Sequence, residues 1–246
     1  MAIDAQHVPP DLPLELERVI LQMADRLIPI LYKVVVLSTQ AMWPPLPLPI
    51  AKLPQYGRYV QHLLIGSARD KMIGQYLKYC PNIIDFASGM PLSEPQMKLV
   101  DRLPLHQLYL NFYNSSASPS TLILFSQVTH LDAAALDLSL LPHFTSLTHL
   151  VLGSNLSFSV YVDILKQYSR LKVLMVWDID VSNATIFPQL QREIIPGFDD
   201  TRIVRMKCRK HLNWRMKALG DTRNAWSFAE RVVEERSVRP RAQISS

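Results

Sequence analysis

The stretch Leu147-Thr148-His149-Leu150-Val151-Leu152 holds the pattern that decides the fold, with apolar residues at its first, fourth and sixth places. The same spacing recurs on both sides of this stretch. Further copies have their first, fourth and sixth residues at Val60-Leu63-Ile65, Ile83-Phe86-Ser88, Leu105-Leu108-Leu110, Val128-Leu131-Ala133 and Leu171-Leu174-Val176. Successive fourth places are 19 to 24 residues apart, so the middle of the chain is an internal repeat.

The length of this repeat falls in the range of about 20 to 29 residues that is typical of leucine-rich repeats. Tyr32-Val35-Leu37 is a candidate first copy, and Ile203-Met206-Cys208 is a weaker last copy. Between copies, apolar residues recur at helical spacing, as in Met72-Ile73-Tyr76-Leu77 and Val160-Ile164-Leu165. We therefore predict an α/β fold, a leucine-rich-repeat-like solenoid of strand-plus-helix units with helical N- and C-terminal caps. An ordinary α/β domain with evenly spaced strands is the alternative.

Three regions are predicted along the chain: an N-terminal helix in residues 1–30, the solenoid in residues 31–208, and a basic helical cap and tail in residues 209–246. Residues 199–246 contain twelve Lys and Arg against six Asp and Glu, a net charge of +6, which leaves −1 for residues 1–198. Positive charge confined to one end does not favour a general nucleic-acid binder. Binding to nucleic acid or to a membrane surface through residues 202–217 is a less favoured alternative.

The N-terminus lacks the features of a secretory signal. Residues 1–11 include two aspartates, no basic residue precedes Arg18, and no apolar run is present there. The longest apolar run, residues 27–37, is interrupted by Lys33 and is far shorter than the roughly 20 residues that cross a bilayer. We expect an intracellular protein, located in the cytoplasm or the nucleus.

Motifs for catalysis and nucleotide binding are missing from the sequence. The nearest two glycines, Gly66 and Gly74, are eight positions apart, which excludes a Rossmann fingerprint and a phosphate loop. No cysteine or histidine pair has the spacing of a zinc motif, and no serine is flanked by glycines. We predict that the chain is not an enzyme, has no small-molecule substrate and needs no cofactor.

Side chains alternate along a strand, so the third and fifth places of each copy are expected to face solvent. These places define the strand face, a predicted partner-binding surface. Because adjacent strands lie about 4.8 Å apart, His130, His149 and Asp132 come close enough for a metal site, but the sequence shows no supporting partner for such ligands. A protein-binding surface is therefore the preferred interpretation. Its members are His62, Leu64, Gln107, Tyr109, His130, Asp132, His149, Val151 and Met175.

A helix is predicted to open near Asp11, since Pro13 suits a first helical turn and Glu15 favours the positive end of the helix dipole. The pattern Leu12-Pro13-x-Glu15-Leu16-x-x-x-Ile20 resembles the opening of an F-box. With the repeats that follow, the chain resembles fungal F-box and leucine-rich-repeat-like proteins. The resemblance implies an adaptor that docks on the Skp subunit of an SCF ubiquitin ligase and selects a protein substrate with its repeats. The implied docking residues are Leu12, Pro13, Glu15, Leu16 and Ile20.

The F-box-like segment is short, because the first strand-like segment, Leu31–Ser38, begins 19 residues after Leu12 and leaves room for one helix. Two hypotheses therefore stay open. In the first, the helix is a shortened F-box that docks on Skp. In the second, residues 12–27 only cap the solenoid, and the chain is a leucine-rich-repeat scaffold with no ligase link.

Overall fold

The computed structural model describes residues 14–37, 52–66, 70–110, 123–132, 138–153, 156–177, 189–190, 200–207, 218 and 224–238. Its helices are α1 (Leu14–Leu31), α2 (Leu53–Tyr56), α3 (Asp70–Tyr79), α4 (Glu94–Val100), α5 (Leu124–Gln127), α6 (Phe158–Gln167) and α7 (Ala225–Val238), with 3-10 helices at Gly57–Tyr59 and Leu138–His143. Its strands are β1 (Val34–Leu37), β2 (His62–Ile65), β3 (Asp85–Ser88), β4 (Gln107–Leu110), β5 (His130–Asp132), β6 (His149–Gly153), β7 (Val173–Trp177), β8 (Gln189–Leu190) and β9 (Ile203–Lys207).

These strands form one open sheet with the order β1-β2-β3-β4-β5-β6-β7-β9-β8. Strands β1 to β7 and β9 are parallel to one another, and β8 pairs with β9 in the antiparallel sense. Parallel neighbours need a crossover connection, and helical segments supply most of the crossovers here. The predicted α/β class is confirmed, as an open sheet with eight parallel strands. The predicted region boundaries remain a prediction.

The predicted alignment of the fourth-place residues is confirmed from β1 to β7. Each of these residues is the Cα partner of the next one across the sheet. The prediction for the last copy is wrong by three residues, because Ile203 and not Met206 is the partner of Leu174. The side chains of Ile203, Val204 and Met206 are all buried, so apolar residues lie on both faces of β9 and alternation cannot fix its register. The aligned residues are Val35, Leu63, Phe86, Leu108, Leu131, Leu150 and Leu174.

The main core lies between one side of the sheet and the crossover helices. The predicted helical stretches form α3 and α6, whose Ile73, Tyr76 and Leu165 are buried there. A turn at residues 81–82 leads from α3 toward β3. Burial raises the pKa of the Cys80 thiol to about 12, so Cys80 is a neutral core residue. Cys208 lies outside the described residues.

Helix α1 is a continuous helix of 18 residues that contains Pro29. Two residues separate its end from β1, so α1 is the one helix before the sheet in the described part of the chain, which begins at residue 14. Within the described part of the chain, no helix combines the length and the hydropathy that crossing a membrane requires.

Candidate functional site

The strand face is largely buried, and the prediction that it is exposed to solvent is wrong. Its apolar members do face away from the main core, as predicted, but they pack into two separate apolar clusters. Residues from the C-terminal part of the chain complete both clusters. Leu64, Tyr109 and His130 are partly buried, and the exposed fraction is at most 7% for His62, Gln107, Asp132, His149, Val151 and Met175.

The element that covers one end of the strand face is helix α7. Its apolar residues face the sheet, because Trp226 and Ala229 are buried and Val233 is partly buried there. The helix is capped by Asn224, whose side-chain oxygen accepts a hydrogen bond from the backbone N–H of Ser227 at 3.1 Å.

Helix α7 packs on the last strands of the sheet. The buried residues of this cluster come from β6, β7, β9 and α7. Arg236, near the end of α7, donates a hydrogen bond to the backbone carbonyl oxygen of Ile203 at 2.5 Å. At the other end of the sheet, Ala218 packs with Ala87, next to Leu64 and Tyr109. The described residues of the predicted C-terminal cap, 218 and 224–238, therefore pack on the strand face.

A row of buried and partly buried polar residues runs across neighbouring strands on this side of the sheet. The Nδ1 atom of His62 lies 2.8 Å from the Oδ2 atom of Asp85, and both side chains are buried. Burial, together with the nearby carboxylate of Asp132, raises the pKa of Tyr109 above its usual value. Since Tyr109 and Asp132 are partners across β4 and β5, this pair extends the polar row. These groups are part of the packed structure rather than an open surface.

The most concentrated polar group lies where α7 crosses β5 and β6. The rings of His130 and His149 stack with centroids 4.1 Å apart and an interplanar angle of 4°. Trp226 meets both rings edge-on, at centroid distances of 5.2 and 5.6 Å. The Nε2 atom of His149 lies 3.0 Å from the Oε1 atom of Glu230. The residue that joins the histidines is thus Glu230, where the sequence had pointed to Asp132.

Helix α1 presents the opposite situation, because six of its apolar side chains are exposed. We call the exposed apolar residues at positions 16, 19, 23, 27, 30 and 31 the α1 stripe. Of the F-box-like residues, Leu12 and Pro13 lie outside the described residues, whereas Glu15, Leu16 and Ile20 lie in α1. A helix that only capped the solenoid would bury its apolar side against the repeats. The members of the α1 stripe are Leu16, Val19, Met23, Leu27, Ile30 and Leu31, with exposed fractions from 47% to 69%.

An open pocket of about 520 Å³ lies beside the C-terminal end of α1. Ile30 of the α1 stripe lines it, together with Lys33, Arg58 and Tyr59. The pocket therefore combines an apolar wall with two cationic side chains. It adjoins the exposed apolar residues of α1.

Comparison with protein-family models, with curated proteins and with solved structures found no match to this chain.

Proposed function

We propose that this chain is a non-enzymatic, intracellular protein-interaction module that docks on the Skp subunit of an SCF ubiquitin ligase through the α1 stripe. The observation that carries the proposal is the exposure of a continuous row of large apolar side chains on one helix. Contiguous apolar surface of this kind marks sites of protein interaction.

The α1 stripe has the geometry of a helix that binds in a groove. Its members at positions 16, 19, 23, 27 and 30 are separated by three or four residues, so they share one side of the helix. Helices that dock in apolar grooves use anchors at this spacing. The F-box-like residues Leu16 and Ile20 belong to the same helix, which is why the Skp subunit is the proposed partner.

The remainder of the chain is proposed to be a leucine-rich-repeat-like solenoid. Support comes from the uninterrupted Cα pairing of the fourth-place residues across seven parallel strands. Stacked repeats that each contact only their neighbours bury one continuous core, and the main core of this chain extends from Val35 to Ile203.

Substrate selection by the strand face is harder to reconcile with the structure. With α7 and Ala218 packed on it, six of the nine predicted residues of the strand face are buried and cannot contact a second protein. An adaptor that used this face would first have to release its own C-terminal region. Docking through α1 requires no such rearrangement, so it is the part of the adaptor hypothesis that the geometry supports best.

The test is a binding titration of purified Skp subunit on the immobilised full-length chain. We expect Met23→Asp to weaken binding by roughly tenfold or more, because a charge would face the apolar groove of the partner. The matched control is Ile123→Asp, which alters a side chain that is 60% exposed and lies outside α1. This control is expected to bind like the unmodified chain.

Two results would overturn the proposal. The first is an unmodified chain that does not bind the Skp subunit, which would favour the scaffold with no ligase link. The second is a Met23→Asp variant that binds with unchanged affinity, which would place the contact outside the α1 stripe. Matching circular dichroism spectra establish that the variants are folded.

A further inference from the structure

Three side chains of metal-ligand type meet between α7 and the sheet, each from a different element. His130 lies on β5, His149 on β6 and Glu230 on α7. One ligand atom from each side chain lies within 4.8 Å of the other two. We propose that these three residues bind one divalent transition-metal ion, with zinc the best match, and that the ion fastens α7 to the strand face.

The sheet itself positions the two histidines. His130 and His149 are Cα partners on adjacent parallel strands, so their side chains leave the same face at neighbouring positions. Their parallel, stacked rings therefore place corresponding nitrogen atoms side by side. Helix α7 then supplies the carboxylate, with Glu230 one turn after Trp226 on the same helix.

Both histidines also have the supporting partners that metal ligands usually have. The Nδ1 atom of His130 lies 2.9 Å from the hydroxyl of Thr129, and that of His149 lies 2.8 Å from the hydroxyl of Thr148. Each hydroxyl also lies within hydrogen-bond distance of a backbone carbonyl, at 3.1 and 3.2 Å. With its hydrogen donated to that carbonyl, the hydroxyl oxygen accepts the Nδ1–H of the imidazole. In this tautomer the Nε2 atom of each ring carries a lone pair rather than a hydrogen, as metal ligation requires.

The ligand set identifies the class of ion. Two imidazole nitrogens and one carboxylate oxygen suit Zn²⁺ and related transition metals, whereas Ca²⁺ and Mg²⁺ prefer sites built from oxygen. Three protein ligands leave one position of a tetrahedral zinc ion for water. Glu230 is half exposed while His149 is buried, so the site lies at the edge of the α7 interface, where an ion can enter from solvent.

Metal capture makes one geometric demand on the histidine pair. Nitrogen ligands of a tetrahedral zinc ion at about 2.0–2.1 Å are roughly 3.3 Å apart, and their lone pairs must converge. The stacked rings, with centroids 4.1 Å apart, must therefore tilt toward each other when they bind the ion. Because Trp226 contacts both rings, its fluorescence is expected to report this change.

The test uses the full-length chain after treatment with a chelator, titrated with Co²⁺ as a spectroscopic probe and with Zn²⁺ by calorimetry. We expect one ion per chain, visible Co²⁺ absorption of a low-coordinate nitrogen and oxygen site, and no thiolate charge-transfer band from the two cysteines. Glu230→Gln is expected to weaken binding by about tenfold or more, and His149→Ala to abolish it. In the unmodified chain, Zn²⁺ is also expected to raise the midpoint of thermal unfolding.

Two matched controls keep this test specific. Glu234→Gln removes the same charge one turn further along α7, and His106→Ala removes an exposed histidine outside the cluster; both variants are expected to bind the ion normally. Since Glu230 is half exposed, Glu230→Gln should fold even if His149→Ala does not. A chain that binds neither one equivalent of Co²⁺ nor one equivalent of Zn²⁺ would overturn the proposal. A Glu230→Gln variant with unchanged affinity would overturn it as well. A histidine pair that only hydrogen-bonds to Glu230 would give the first of these results.

Discussion

Helices α1 and α7 have similar amphipathic sequences, but their apolar side chains lie in opposite environments. Each has apolar side chains at helical spacing and charged residues between them. In α7 the apolar residues Trp226 and Ala229 are 3% and 0% exposed and contact the sheet. In α1 the residues of the α1 stripe are roughly half exposed. One helix therefore stabilises the fold, while the other offers a surface.

The difference shows why amphipathicity alone does not identify a functional helix. An apolar stripe is explained by packing where the folded chain covers it, as in α7. Where the folded chain leaves it exposed, a partner is the simplest explanation. From the sequence, both helices are candidate caps of the solenoid, and the fold separates them.

The largest expected effect is on stability, at the α7 interface. Trp226→Ala should lower the free energy of unfolding by about 3–5 kcal/mol, because it removes a buried aromatic side chain and leaves a cavity against the two histidines. Denaturant unfolding followed by far-ultraviolet circular dichroism measures this loss. A loss below about 1 kcal/mol would mean that α7 is not packed on the strand face.

A smaller effect is expected at the end of the same helix. Arg236→Met should cost about 1 kcal/mol, since the carbonyl oxygen of Ile203 loses its charged hydrogen-bond donor. Arg231→Met is the comparison, because Arg231 is exposed on α7 and lies 5.8 Å from the ring of Phe228. Equal losses for the two variants, in the same unfolding measurement, would contradict an anchoring role for Arg236.

Truncation on α1 is expected to change stability least. Met23→Ser should alter the free energy of unfolding by no more than about 0.5 kcal/mol, because Met23 is 58% exposed. Denaturant unfolding under the same conditions as for Trp226→Ala gives the direct contrast. A loss of about 2 kcal/mol or more would show that the α1 stripe packs on the solenoid, as the capping hypothesis predicts.

Cys80 provides a local reporter of the main core. Burial raises the pKa of its thiol to about 12, so the thiol stays neutral and reacts slowly near pH 8. This neutral state favours the folded chain below the ordinary thiol pKa, and the advantage is lost as pH rises toward 12. In a Cys208→Ser background, Met23→Asp should leave the labelling rate of Cys80 unchanged. Faster labelling would mean that α1 protects the core.

Much of the sheet could be predicted from the sequence because its signal is local. A fixed apolar pattern, repeated at intervals near 22 residues, specifies both the strands and their register. The pattern failed at β9, where Ile203, Val204 and Met206 are all buried. A strand that is buried on both faces shows no alternation of apolar and polar residues from which its register could be predicted.

The candidate sites could be predicted only in part. The histidine pair follows from the register, since His130 and His149 occupy the same place in consecutive copies. The third candidate ligand, Glu230, could not be predicted from the sequence, because the amphipathic pattern of α7 does not show which surface the helix covers. The exposure of the α1 stripe could not be predicted for the same reason, because burial of a helix depends on tertiary packing rather than on the sequence of the helix alone.

We propose that α1 docks a partner and that α7 belongs to the fold. Hydrogen–deuterium exchange with and without purified Skp subunit tests both statements in one experiment. We expect slower exchange in peptides from residues 14–31 when the subunit is added, and no change in residues 224–238 or in the strands. Unchanged exchange in α1, or protection that develops on the strand face as α7 loosens, would contradict this proposal.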